Sequence, residues 1–542
     1  MTKKIITSAL PYVNNQPHLG NIIGCVLSGD IYTRFCKKNG EECVYICGTD
    51  EYGTAIEMTA FIQNKKPLEI CEENRVIHEK IYNWFNIKFD YFGHTTTKEH
   101  IKNVQSFFND IYKNGGFTEQ TIEQHFCNKC ELFLADRYIV GVCKFCNFEG
   151  AKGDQCDSCG HTYKTTDLIC PKCAICGESP CIKNTNHLFF DFNLFREQLE
   201  DLYKKNSKYW SENGKKITKS WLNQELLQRC MTRDLKNLWG VPVPLDGYEK
   251  KVFYVWFDAV IGYFTFLKEH LQGNYEEWIN DGELIQFMGK DNVFFHTIVF
   301  PSLIFGTKKK YPLLKQLSVT EFLLFENKKF SKSSNHGIFG LDLIDNSLGN
   351  SCLWRYYLTK IRPETCDTNF SFDHFTSVIT SDLNNTIGNF CNRVLKFIKN
   401  KNNNKIYVTE LIESDNNMIK KVNNQFLLYK TFFKDIKLKD ALNCVLEISR
   451  IGNEYVQQVV SIKENMQRGF SIAFSIVKLL SQILEPFIPI SAIKLQKMCQ
   501  VKNERFCEEF SITMNWEISN NIEPLFSHLS PDIIERFNKF KI

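Results

Sequence analysis

Ten of the 22 cysteines in this 542-residue chain fall between Cys127 and Cys181. Eight of the ten form four C-x-x-C pairs: Cys127/Cys130, Cys143/Cys146, Cys156/Cys159 and Cys173/Cys176. Four such pairs supply enough thiolates for two closed tetrahedral sites of the kind that hold structural zinc. With four thiolates on each ion no coordination position stays open, so the metal shapes the fold and takes no part in chemistry. Cys170 offers a competing C-x-x-C with Cys173, Cys181 is a further spare thiol, and His161 reads as a solvated turn histidine, with metal ligation as its alternative. Disulfides would be the other use of so many cysteines, but disulfide scaffolds are short secreted chains. Met1–Ser8 shows no apolar run leading to a small-residue cleavage site, so a reducing cytosolic setting is expected. The twelve scattered cysteines then read as small buried hydrophobes.

On either side of this cluster the chain has an α/β rhythm. Ile5–Leu10 is a strand candidate, followed by a Pro/Asn-rich loop and a helical pattern from about His18 to Lys38. A second strand candidate, Cys43–Cys47, runs into Gly48-Thr49-Asp50. Strands alternating with helices predict a parallel, doubly wound sheet, with its ligand crevice at the strands' carboxyl ends, where Ala9–Tyr12 and Gly48–Glu51 lie. The rhythm breaks near Phe117, and Phe253–Phe257 and Ile285–Gly289, both read as strands, restore it. The expected architecture is therefore a Rossmann-like parallel sheet split by a zinc-binding insertion and followed by a C-terminal α-helical bundle. Its segments are 1–116 and 247–317 for the two halves of the sheet domain, 117–246 for the insertion, 318–375 for a connecting region and 376–542 for the bundle. Asn400–Lys405 reads as a solvated low-complexity loop. Lys+Arg 66 against Asp+Glu 62 excludes a polybasic chain, so any nucleic-acid contact must come from local patches. Val293–Gly306, the longest apolar stretch, is shorter than the ~20 residues a membrane-spanning helix needs.

Two short motifs carry the chemistry. In Pro11–Asn21 a strand ends, the chain turns and a helix begins near His18. Such a helix start presents unpaired N–H groups and a positive dipole end to phosphate. Gly20 would let a flat base or ribose approach the backbone, and His18 can donate to phosphate oxygens. Far downstream, Lys329-Phe330-Ser331-Lys332-Ser333 places two lysines three apart in a loop ahead of Gly337 and Gly340. Lysine acts there as a point charge on the phosphate oxygens as pyrophosphate leaves.

The two motifs, in this order around a cysteine-rich insertion, resemble the class I aminoacyl-tRNA synthetases. Their "HIGH" signature matches His18-Leu19-Gly20-Asn21, with Asn21 in place of the last His. Their "KMSKS" signature matches Lys329–Ser333, with Phe330 in place of Met. Within the class the chain is most similar to the methionyl enzymes of the eukaryotic and archaeal cytosolic type, through Ser8–Tyr12, Cys47–Thr54, Tyr254–Tyr263 and Gly289–His296.

The resemblance implies activation of L-methionine by ATP and transfer of the methionyl group to the 3′ end of tRNA(Met), with Mg²⁺ arriving on the ATP. It assigns catalysis to His18, Asn21, Lys329 and Lys332. ATP is expected at Gly20, Gly289, Asp291, Lys332 and Arg233, with Asp291 taking the ribose hydroxyls. Methionine is expected at Ala9, Leu10, Tyr12, Asp50, Trp256, Ala259, Val260, Tyr263 and His296. An ionised Asp50 accepts only and suits the α-ammonium, while Trp256, Ala259, Tyr263, Leu10 and Phe300 wall an apolar slot. The same resemblance pairs Cys127/Cys130 with Cys173/Cys176, and Cys143/Cys146 with Cys156/Cys159, as one or two structural zinc sites.

In the helical tail Asn385, Asn389 and Arg393 recur every fourth residue, on one helix face. Their stretch resembles the family helix that reads the anticodon, where amides and a guanidinium pair with splayed bases. The family's stacking Trp would fall near Val459–Gln467, and no Trp lies between Trp354 and Trp516. The expected molecule is a cytoplasmic monomer without membrane contact. Two other readings are another class I synthetase and a catalytically inactive zinc-ribbon protein that binds tRNA. Against the first, the insertion of about 130 residues is too small for the editing domain of the branched-chain enzymes, and Trp256–Tyr263 favours methionine.

Overall fold

The computed structural model describes residues 3–540 apart from 135, 154–155, 157, 160, 162–164, 236, 331–335, 409, 462–465 and 503–504. Five strands build the central sheet: β1 (Lys3–Ser8), β2 (Cys43–Thr49), β3 (Tyr91–His94), β4 (Gly282–Gly289) and β5 (Leu314–Thr320). They lie in the order β5-β4-β1-β2-β3 and every pairing is parallel. Ile5, Ile6, Val44, Ile46, Leu284 and Phe287 are buried, the apolar run that a sheet covered on both faces requires. The chain steps outward one way through β2 and β3 and the other way through β4 and β5. The strand order therefore reverses between β1 and β4, and a crevice opens beyond their carboxyl ends.

The helix that leaves β1 consists of Leu19–Asn21, a π-helical stretch Ile22–Val26, and Leu27–Lys38. A second π-helical stretch, Phe295–Val299, follows β4. Such wide turns inside helices concentrate at functional sites, and these two flank the same crevice.

One sequence expectation is corrected here. Phe253–Phe257 is not a strand: only Val252–Phe253 is, paired with Thr232–Arg233, and Val255–Asp258 is a helical turn. The aromatic run suggests β-structure, yet Phe253 and Phe257 stack on each other at 4.6 Å, an i,i+4 contact buried in the core. Tertiary packing overrides the local preference.

The cysteine-rich segment leaves the sheet domain on two long strands, Phe117–Cys127 and Cys181–Phe190. These pair antiparallel from Phe117↔Phe190 to Phe126↔Cys181, and the cysteine pairs sit at the far end of this ribbon. After Phe372 the chain is mostly helical, including Glu413–Lys434, Leu438–Ser461, Met466–Ile483 and Pro489–Cys499. The Asn-rich loop is more structured than its composition suggests. Asn403 and Asn404 take left-handed φ angles of 51° and 64°, and buried Asn402 donates to Ser471 at 3.3 Å. The turn feeds a small antiparallel pair, Lys405–Tyr407 with Asn515–Glu517.

A buried arginine joins the sheet domain to the bundle. Arg355 donates to the backbone carbonyls of Phe487 (2.7 Å), Pro486 (2.8 Å) and Phe85 (3.0 Å) and pairs with Asp30 at 2.7 Å. Phe35 stacks on Phe433 at 4.0 Å across the same junction. Among the described residues no helix is long and apolar enough to cross a membrane.

Candidate active site

A cavity of about 560 Å³ occupies the crevice, lined at one end by His18, Asn21 and Phe330 and at the other by Tyr12, Asp50 and Trp256. His18 caps its own helix: Nδ1 accepts from the N–H groups of Gly20 (3.1 Å) and Asn21 (3.4 Å), while Asn21 Oδ1 accepts from the His18 N–H (3.2 Å). Burial lowers the His18 pKa to about 4, so the ring is neutral. With Nδ1 accepting, its proton sits on Nε2, which is left to donate. The ring is sandwiched on one face by Phe330, stacked at 4.6 Å and 5° between planes, and edged by Phe339 at 6.4 Å. Backbone contacts tighten this closure, with the Gly340 N–H on the Pro17 carbonyl at 2.9 Å. The two signature motifs, some three hundred residues apart, therefore touch.

Other residues of the nucleotide end are placed less directly. Gly20 does not line the cavity, because the space a side chain would take is filled by the His18 ring, 3.0 Å away. Its bare Cα thus serves the histidine, not an approaching base. Gly289, at the end of β4, faces open space. Asp291, two residues on, has an exposed side chain, yet partial desolvation of its carboxyl by the surrounding protein raises its pKa against the pull of Lys290 and Lys329. Lys329 is exposed and rides over the Phe322 ring at 4.6 Å. Lys332 lies outside the described residues. Arg233 lines the cavity with its guanidinium 4.2 Å from the Tyr254 ring, donating to the carbonyls of Cys230 (3.0 Å) and Thr232 (2.9 Å).

At the other end Ala9, Leu10, Tyr12, Asp50 and Trp256 line the cavity. Asp50 is buried, and its Oδ1 has no hydrogen-bond partner among the described residues. Burial first, and then the neighbouring Asp258 carboxylate, push its pKa well above the usual carboxylate range against the pull of the Tyr52 N–H. A carboxylate so placed gains its charge when a cation arrives. Trp256 stacks on Phe295 at 3.7 Å. Ala259, Val260, Tyr263 and His296 are buried behind this lining. His296 Nδ1 donates to the Asn292 carbonyl (2.8 Å), so its Nε2 accepts from the Tyr263 hydroxyl (2.8 Å). Burial lowers the His296 pKa to about 4, which keeps the pair neutral. Phe300 packs against Tyr263 and Phe264 in the core and does not line the cavity.

The eight paired cysteines gather into two groups, Cys127/Cys130/Cys173/Cys176 and Cys143/Cys146/Cys156/Cys159, each with all sulfurs within 4.8 Å of one another. The Sγ–Sγ separations of 3.4, 3.9, 3.8 and 3.6 Å bracket the ~3.8 Å edge of a tetrahedron built on Zn–S bonds of ~2.3 Å. Backbone N–H groups of Cys130 and Phe145 point at Cys127 and Cys143 sulfur, both at 3.4 Å, and would stabilise thiolate charge. Cys170 and Cys181 stand outside both groups, and His161 stacks on Phe145 at 4.6 Å. Asn385 and Asn389 are exposed and Arg393 half-exposed, across the junction of a π-helical stretch, Ile379–Gly388, with the helix Asn389–Lys401. Trp516 is tucked under Lys478 and donates to the Cys499 carbonyl at 2.7 Å.

Among the residues at or near the cavity that were not singled out by sequence, Arg137 and Asp258 are the ones with charged side chains. Arg137 lines it from the insertion, although its stretch points only to the metal sites. Asp258, inside Trp256–Tyr263, is fully buried, with neither oxygen hydrogen-bonded among the described residues and His100 Nε2 at 3.6 Å. An acidic residue inside an aromatic run was the available signal for it.

Residues 4–395 match the family "tRNA synthetases class I (M)", and 408–520 match "Anticodon binding domain of methionyl tRNA ligase". A probable cytoplasmic methionine–tRNA ligase of Vairimorpha ceranae is 65% identical over 100% of this chain and 99% of its own. The cytoplasmic methionine–tRNA ligase of Arabidopsis thaliana is 42% identical over 99% of this chain and 70% of its own. Among solved structures, Mycobacterium tuberculosis methionyl-tRNA synthetase bound by methionyl-adenylate superposes with a TM-score of 0.79. It has 18% identity and covers 97% of this chain and all of its own, a likeness of fold. Whole-length identity to methionine–tRNA ligases, together with a family match over most of the sequence, shows that this chain belongs to the class I tRNA synthetases of the methionyl family.

Proposed function

We propose that this protein activates L-methionine with ATP and charges tRNA(Met) in the cytoplasm. The contact between His18 and Phe330 carries the reading, because it closes the triphosphate end of a cavity whose other end holds an unpartnered buried carboxylate and an indole. Asp50 takes the α-ammonium of methionine, and that charge-assisted contact offsets the cost of ionising a buried acid. Trp256 and Leu10 enclose the thioether, with the neutral Tyr263–His296 pair behind them. The methionine carboxylate attacks the α-phosphorus of ATP, a methionyl-adenylate forms and pyrophosphate leaves. His18 donates from Nε2 to phosphate oxygens as charge builds, Asn21 holds the histidine in register, and the charges of Lys329 and Lys332 offset that of the triphosphate. Asp291 takes the ribose at open Gly289, and Arg233 faces the phosphates. No covalent enzyme intermediate is needed, since positioning and charge stabilisation do the work. Mg²⁺ arrives with the nucleotide.

The 3′-terminal adenosine of the tRNA then attacks the adenylate. Asn385, Asn389 and Arg393 read anticodon bases from the bundle. Two zinc ions, one in each cysteine group, hold the insertion together through four thiolates apiece. We assign 1–116 and 247–317 to catalysis, 117–246 to the insertion, 318–375 to the connection and 376–542 to anticodon binding, in a monomer. ATP–pyrophosphate exchange across a panel of amino acids tests the reading. Methionine is expected to give the strongest exchange. A stronger signal with another amino acid would replace the substrate, and none with any would leave a tRNA-binding protein without activity.

A further inference from the structure

Asp258 is a buried acid to which the reading above gives no role. It is fully enclosed, it does not line the cavity, and neither of its oxygens has a hydrogen-bond partner among the described residues. It ends the helical turn Val255–Asp258, two residues after the cavity-lining Trp256. A bare carboxyl is costly to bury, more so when ionised, and one kept behind a substrate pocket calls for a reason. His100, on the helix Lys98–Lys113, stands beside it with Nε2 at 3.6 Å. The Thr265 hydroxyl accepts from the Asn103 amide at 2.8 Å and gives its own proton to His100 Nδ1 at 3.0 Å, nearer than the Ile261 carbonyl at 3.5 Å. Nδ1 therefore accepts, and Nε2 carries the proton. Burial lowers the His100 pKa to about 3, so the ring is neutral and brings Asp258 no counter-charge.

The surroundings supply none either. Tyr12, Tyr52 and Tyr263 face the two carboxyls, and burial pushes each phenol up, so all three are neutral. The Cys71 thiol, which also feels Asp50, is held neutral in the same way. His296, bonded to Tyr263, is neutral as well. Glu51 acts on Asp50, but its own charge is taken up by Arg75 at 2.9 Å, with Thr49 at 2.8 Å, Thr96 and, at 3.6 Å, His94 around it. Among the described residues no lysine or arginine pairs with Asp50 or Asp258. Two carboxyls that act on each other in one dry enclosure, with no cation between them, cannot both stay ionised. On the function proposed above, we infer that Asp258 is a positioning residue that makes Asp50 part of a pair holding one proton in the empty pocket, which the α-ammonium of methionine displaces to solvent as it binds. One carboxyl O–H breaks, its proton passes to solvent, and ammonium N–H···O contacts to Asp50 replace it. Tight binding is thereby confined to ligands that bring a cationic amine.

Calorimetric titration of methionine into the full chain, in buffers of different ionisation enthalpy and at several pH values, counts the proton. The parent is expected to release about one proton per methionine over the pH range where Kd falls about tenfold per unit. Asp258→Asn keeps the shape and removes one carboxyl. Its limb should move to lower pH by about one unit or more, so that on the parent's limb the variant binds methionine about tenfold more tightly at the same pH. A side chain that served only to hold the Trp256 turn would, when replaced, weaken binding at every pH and leave the limb in place. Asp50→Asn should release no proton. Binding by the parent without proton release would overturn the inference, and that measurement needs no variant to fold. An unmoved limb in Asp258→Asn would overturn it too. Absence of methionine binding by the parent at any pH would instead overturn the activity proposed above, and the inference with it.

Discussion

His18→Ala removes an acceptor, a stacking surface and a donor in one step, and a second substitution separates these roles. The cap consists of two N–H groups held by Nδ1 at 3.1 and 3.4 Å, and losing it costs about 1 kcal/mol. That corresponds to about fivefold faster hydrogen exchange at the amides of Gly20 and Asn21. The Nε2 donor acts on charge that develops only in the transition state, and its loss costs about 2.7–4 kcal/mol, or 10²–10³ in kcat. Asparagine is among the best N-caps but too short to put a donor where Nε2 stands. His18→Asn should therefore restore amide protection and leave the exchange rate near that of the alanine variant. ATP–pyrophosphate exchange kinetics and hydrogen-exchange mass spectrometry on both variants decide the matter. Recovery of kcat by asparagine to within about fivefold of the parent would refute the donor role and make His18 a cap. An effect confined to KM would do the same. The pH dependence has a definite sign. With the folded pKa lowered to about 4 and the unfolded value near 6.5, the stability due to neutral His18 is full above pH ~6.5 and is lost as pH falls toward 4.

Asp50→Asn keeps the shape and removes the charge, so kcat/KM for methionine should fall by about 2–5 kcal/mol while KM for ATP holds, and an unchanged KM for methionine would rule out the ammonium contact. Because burial raises the Asp50 pKa, kcat/KM for methionine in the parent should climb with pH through a value above the usual carboxylate range, a limb absent from Asp50→Asn. Metal analysis should count two zinc ions per chain, one per cysteine group, and one after Cys146→Ser; an active chain with none would refute the structural assignment.

The sheet was legible because β1 and β2 are short apolar runs ending in chemistry-bearing residues, so the strand ends and the crevice could be read together. The cysteine pairs were legible because C-x-x-C spacing constrains geometry locally, whereas which pairs join into one group was implied by the family resemblance alone and is seen in the folded chain. Three features were not. The Val255–Asp258 turn looks like a strand, since its aromatic side chains find their partners only in the tertiary core. The role of Gly20 depends on where the His18 ring folds back, which spacing cannot specify. Arg137 belongs by sequence to the metal-bearing insertion and comes to the cavity because the neighbouring Tyr138 docks on Glu57 of the helix Thr54–Gln63, a contact between distant segments. Phe330 shows the reverse. Its departure from the family motif looks like a simple apolar swap, yet its ring supplies the flat face against which His18 rests.

Arg355 has a mechanical consequence. It ties Asp30, on the helix that follows His18, and the Phe85 carbonyl to the turn at Pro486–Phe487, so sliding of the catalytic half against the bundle at that seam requires these four buried bonds to break. The spacing between the catalytic cleft and the exposed face at Asn385 is then set in part by this buried junction. On the function proposed above, a tRNA that reaches both the cleft and Asn385 meets a frame tied at this seam, and its own bending takes up a mismatch in length.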